Sequence, residues 1–236
     1  MRTIYSREMQ GYFFTPIGYV FIGIFLLLSS VFFGVGNLME RSGNILYLLR
    51  NMSYLWMLLC PVLTMKLVAG ERQSHTDQLL YSSPCSLSGV VMGKFFAACT
   101  VLLAAIVLSF VYPALVAIYG KLYLTETLVG YLGFLLTGCT FIALDIFVSC
   151  FARSVVTSAI MCFGVNLMVW FFDVIALAAK GTVIADFFVF LSPYQRFTPF
   201  TLGQLSWANL LYGVLICAIM IFLSIRVLDA RRWSEA

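Results

Sequence analysis

Six long apolar stretches constrain this chain more than anything else in it: residues 18–36, 52–69, 90–119, 128–151, 154–179 and 207–228. Each approaches or exceeds the ~20 residues that a helix needs to cross the hydrocarbon of a bilayer with its backbone bonded internally. The runs are continuously apolar rather than alternating, which excludes a barrel of spanning strands. Overall, 62% of residues are hydrophobic and 10% charged, against about 45–50% and about 25% in soluble domains. The sequence therefore predicts an all-α membrane protein with six transmembrane helices. No repeat, low-complexity tract or Pro/Gly linker divides it, so residues 1–236 read as a single domain.

Lysine and arginine set the orientation. With both termini cytosolic, Arg2, Arg7, Lys66, Arg72, Lys94, Arg153, Arg226, Arg231 and Arg232 fall inside, and Arg41, Arg50, Lys121, Lys180 and Arg196 fall outside. That nine-to-five excess favours this arrangement. The net charge of +4 then reflects the positive-inside bias and attraction to anionic lipid headgroups. No basic stripe with interleaved aromatics points to nucleic acid.

Several chemistries lack their residues. The seven cysteines lie almost all in apolar runs without a Cys-x-x-Cys pair and read as small hydrophobes. The single histidine, His75, leaves a bis-histidine haem or a zinc protease without ligands. The first 15 residues contain Arg2, Arg7 and Glu8 but no apolar core, so no signal peptide is expected there.

Three segments outside the spans carry pattern. In residues 1–16, Tyr5, Met9, Tyr12 and Phe13 share one helical face and Arg7 and Gln10 the other, which predicts an interfacial helix ended by Pro16 and Gly18. Residues 70–88 are the longest polar insert. Ser74 or Thr76 can cap a short cytosolic helix there, Asp77 suits its first turn, Leu79, Leu80 and Tyr81 give an apolar edge, and Pro84 ends it. An edge too small to form a core suits docking into a partner's groove. Residues 180–206 include an apolar run, 184–191, too short to cross and too apolar for a free loop, which predicts an outer re-entrant or interfacial hairpin.

Of the ionic residues within the spans, Lys94, Asp145 and Asp173 stand out. Lys94 lies about one turn inside the third and is expected to snorkel to the cytosolic surface. Asp145 lies near the cytosolic end of the fourth, where Lys94 or Arg153 could pair with it, and Asp173 is expected at the outer interface of the fifth.

An ordered set of short motifs carries a resemblance. Arg7, Glu8, Tyr12, Phe13, Pro16, Gly18, Tyr19, Val20 and Phe21 come first; then Glu71, Arg72, Thr76, Asp77, Leu79, Leu80, Ser82, Ser83 and Pro84; then Gly93, Lys94 and Phe95. With the tail segments LSPYQRFTPFTLGQLSWANLLY and RVLDARRW, this order resembles type-2 ABC transporter permeases, especially the branch that includes gliding-motility-type permeases. The chain departs from that pattern at His75, where a glycine is expected, and at Asp145, where relatives keep the helix apolar or small.

The resemblance implies a multi-pass permease of the bacterial inner membrane, working as an exporter with a second permease, identical or related. It also implies an ABC ATPase that carries ATP and Mg, with no cofactor on this chain. Glu71, Arg72, Thr76, Asp77, Leu79 and Leu80 would be the coupling contacts, and Gly93 and Lys94 would set the entry of the third helix. No G-x-x-x-x-G-K-[ST] phosphate loop occurs in the chain, which agrees with a non-enzymatic subunit. A non-transporting anchor or scaffold is the alternative. An intramembrane enzyme is the weakest reading, because no catalytic constellation is visible.

Overall fold

In a computed structural model, residues 2–39, 43–74, 86–120, 122–178 and 183–234 are described, and among them the chain is almost entirely helical without strands. Helix α1 (Arg2–Phe14) meets α2 (Pro16–Phe33) at Thr15, whose extended backbone is what a following proline imposes. Pro16 starts α2 where its missing N–H loses nothing. The fold-back is close: a Cβ on Gly18 would lie 2.7 Å from the Tyr12 carbonyl oxygen. A π-helical turn, Gly34–Met39, then extends α2.

The second expected span, residues 52–69, is redrawn. Helix α3 (Ile45–Ser53), capped by Asn44, and α4 (Trp56–Thr64) meet at a 60° bend, so the apolar segment starts earlier and is broken. After α5 (Ala69–Gln73), helix α6 (Leu87–Ser109) continues into α7 (Val111–Tyr119). Pro113 removes the N–H that would bond Ser109, which marks the joint. Helices α8 (Leu124–Ser149) and α9 (Val155–Ala178) flank a turn in which Ser154 and Thr157 exchange backbone-to-side-chain hydrogen bonds of 3.0 and 3.2 Å, a reciprocal cap. Helices α10 (Val183–Leu191) and α11 (Pro193–Thr201) form a hairpin before α12 (Trp207–Ser234).

Among the described residues, five helical segments are long and apolar enough to cross a membrane, and α3 with α4 makes a sixth if the bend lies within one span. Helix α8 is the hub. It packs on α3, α4, α6, α9, α11 and α12, and 67% of its apolar window is buried, whereas no other candidate span exceeds 39%. Glycines admit the closest neighbours: a Cβ on Gly133 would lie 2.5 Å from Phe200 of α11, and one on Gly138 would lie 2.9 Å from Leu102 of α6. The resulting core is aromatic, running from Phe25 and Trp56 through Phe134 to Phe197, with Tyr194 against Phe141 and Tyr54.

Candidate functional site

The densest polar arrangement joins α1, α5 and α6. Helix α1 lies across α6 because Gly93 has no side chain: a Cβ there would sit 3.1 Å from Ile4. Tyr5 meets the Thr100 hydroxyl at 3.0 Å, and Tyr12 donates to the Leu63 carbonyl at 2.7 Å. Tyr5, Met9 and Tyr12 of the expected face pack inward, while Phe13 is exposed and Ile4 takes the most buried place that sequence left unmarked.

This crossing brings Glu8 over Lys94. Lys94 does not snorkel: it is 2% exposed, 3.1 Å from Glu8 and 2.9 Å from Glu71, and it donates to the Leu67 carbonyl. An ammonium has three donors, and here each has an acceptor. Arg7 closes the cluster by pairing with Glu8 at 2.9 Å and with Glu71. Partial burial works against the Arg7 cation, but its hydrogen bond to Glu8 and the field of Glu71 outweigh this and raise its pKa above the ordinary value. Two carboxylates are thus balanced by two cations.

Helix α5 is also tied on its other side. Arg72 donates to the Ala152 carbonyl at 3.1 Å, and the Gln73 side chain accepts from the Val155 backbone N–H at 3.0 Å. Residues 71–73 therefore bind α1 and α6 through Glu71, and the α8–α9 turn through Arg72 and Gln73. Of the expected coupling contacts, Glu71 and Arg72 are at this junction. Thr76, Asp77, Leu79 and Leu80 lie outside the described residues, as does His75. Sequence reasoning missed Gln73 and the partnership of Glu8 with Lys94; an acid on an otherwise basic interfacial helix was the available signal.

The two acids expected within the spans are placed apart. Asp145 is fully buried and pairs with neither Lys94 nor Arg153, because Lys94 is saturated and Arg153 is exposed. Its Oδ2 is 3.4 Å from the Thr64 hydroxyl of α4, and Asn166 of α9 faces the same carboxyl. Asp173 is 4% exposed and accepts a hydrogen bond from Gln195 of α11. Near the α11–α12 join, Arg196 bonds Asn209 at 3.2 Å and lies over the Phe190 and Tyr212 rings.

Two kinds of open space adjoin the bundle. A cleft of about 540 Å³ is lined by residues including Asn44, Tyr123, Glu126, Thr127 and Thr201, and an apolar groove of about 280 Å³ runs between α8, α9 and α12 past Phe141, Met168 and Met220. No His/Cys/Asp/Glu group suited to a metal occurs among the described residues.

Residues 49–233 match the family described as ABC-2 family transporter protein. No curated protein matches the chain.

Proposed function

This chain belongs to the ABC-2 transporter family, and from that premise we propose that it is the permease of an ATP-driven exporter, moved by an ABC ATPase through its first cytosolic segment. Membership makes it a multi-pass transport subunit and implies an ABC ATPase partner. In this reading ATP and Mg sit on that partner, and the present chain holds no cofactor. Helix α2, the α3–α4 pair, α6 with α7, α8, α9 and α12 make six crossings of a bacterial inner membrane, with both termini cytosolic and residues 1–236 forming one domain. Helix α1 is the interfacial helix. Residues 180–206 enter from outside as a re-entrant hairpin, a reading supported by the contacts of Phe197 and Tyr194 with Phe134 and Phe141, well along α8. A second permease, identical or related within the gliding-motility-type branch, docks on this one, and lipid covers the rest. The exposed apolar faces of α9 and α12, whose windows are only 22% buried, suit both.

Residues 70–88 form the coupling segment, with Glu71, Arg72, Thr76, Asp77, Leu79 and Leu80 as its contacts. The observation that carries this is the junction at residues 71–73, where one short helix is bonded to α1, α6 and the α8–α9 turn. A push delivered to the segment by ATPase closure would reach three parts of the bundle directly. Replacing both Leu79 and Leu80 by Asp puts charge into an apolar groove. The double variant should insert normally and lose ATPase co-purification or stimulation; unchanged binding and stimulation would refute the coupling role.

A further inference from the structure

Asp145 sits where α4, α8 and α9 meet, with no solvent contact. Its neighbours are neutral. Thr64 has one hydroxyl proton, and its shorter contact is to the Cys60 carbonyl at 3.0 Å, against 3.4 Å to Asp145 Oδ2. The Cys162 thiol donates to the backbone carbonyl of Asp145, at 3.4 Å, and the Cys60 thiol is turned toward the Gly138 carbonyl. Asn166 is also fully buried and faces the Asp145 carboxyl, yet among the described residues neither of its amide atoms, nor Asp145 Oδ1, is in hydrogen-bond geometry with a partner.

Among the described residues, no charged group on the surrounding helices pairs with this carboxyl. Lys94 of α6 is held by Glu8 and Glu71, Arg50 of α3 is exposed, and Arg231 of α12 lies over Phe151. The titratable groups that do face it are the Cys60 and Cys162 thiols; on α11, Tyr194 packs on Phe141. An ionised carboxylate in such a place is costly without a cation. A hard cation would need about six to eight oxygen ligands, and the Thr64 hydroxyl and Asn166 carbonyl with two carboxyl oxygens fall short of that.

We propose that Asp145 and Asn166 form a proton-binding site inside the bundle, in which Asp145 is held as the neutral acid and pairs with the Asn166 amide through two hydrogen bonds. The acid O–H donates to Asn166 Oδ1, and Asn166 Nδ2–H donates to the other carboxyl oxygen. One proton taken up from solvent thus satisfies all three unpartnered atoms and clasps α8 to α9. Separation of the two helices would hydrate the carboxyl and return the proton to water.

Infrared difference spectra of the full chain in lipid nanodiscs test this directly. Wild type minus Asp145→Asn should show a protonated-carboxyl band at neutral pH, and wild type minus Asp173→Asn should show no such band, because Asp145 is present in both and cancels. Asn166→Leu should shift it to the frequency of an acid with fewer hydrogen bonds. A proton bound only in the folded bundle also makes stability fall as pH rises, so the wild-type thermal midpoint should drop on alkalinisation while that of Asp145→Asn holds. Absence of the band overturns the proposal, and a wild-type spectrum at neutral pH minus the same protein at high pH that lacks a protonated-carboxyl band does so without requiring any variant to fold. A band unmoved by Asn166→Leu overturns the pairing. A midpoint raised by sodium at fixed ionic strength, in wild type but not in Asp145→Asn, makes this a cation site instead.

Discussion

Lys94 and Asp145 lie on packed neighbouring helices, both out of reach of solvent, yet their surroundings are opposite in kind. Around Lys94, three donors meet Glu8, Glu71 and the Leu67 carbonyl, and Arg7 balances the second acid. Around Asp145 stand a hydroxyl, an amide and two thiols. The first region keeps its charges by drawing counter-charges from other segments, so its energy depends on α1 and α5 staying in place. The second holds its helices together without any counter-charge. Movement of the segment that follows α5 should therefore strain the Lys94 cluster at once and reach Asp145 only through shifts of whole helices.

The sharpest way to break this contrast is to delete one charge from each region. Lys94→Met removes the cation that Glu8 and Glu71 share, and breaking such a buried pair costs about 3–5 kcal/mol. Asp145→Asn, an isosteric change from one neutral group to another, should alter stability by less than about 1 kcal/mol near neutral pH. Thermal or denaturant unfolding in nanodiscs measures both. Combining Lys94→Met with Glu8→Gln and Glu71→Gln should recover much of the loss; equal destabilisation by Lys94→Met and Asp145→Asn would dissolve the distinction.

A smaller effect is expected where the cluster depends on close approach. Gly93→Ala forces Ile4 and α1 away from α6, at a cost of about 1–3 kcal/mol if the neighbours cannot yield. Ile4→Ala in the same chain should restore part of the lost stability. Failure of that rescue would show that α1 is not held by this contact. Arg7→Ala should matter least, because a side chain 54% exposed forms a pair worth about 0–1 kcal/mol. A loss as large as that of Lys94→Met would move the centre of the cluster outward.

Much of the fold was legible because apolar length is a local property. The spans starting near residues 16, 87, 124, 155 and 207 all stand out in the sequence. The α3–α4 segment was misplaced for an equally local reason. Residues 45–53 bury Ile45, Leu46, Leu48, Leu49 and Met52 but turn Tyr47 and Arg50 outward, so they form an amphipathic face rather than an uninterrupted apolar run. The site was less legible. That Lys94 would be buried depended on Glu8, distant in sequence, and on a glycine thin enough to let α1 approach. Asp145 was visible as an oddity, but its neighbours Thr64 and Asn166 come from other helices, and nothing in the sequence assigns them to it.

The central place of α8 has a consequence for biosynthesis. A ribosome releases α8 before α9, α11 and α12, although these three cover much of its surface. Thr137, Thr140 and Asp145 must therefore enter the membrane before most of the residues that will enclose them exist. Until α12 arrives, the growing chain presents a polar, glycine-notched surface to lipid or to whatever insertion machinery shelters it. Truncation within α12 would leave that surface open.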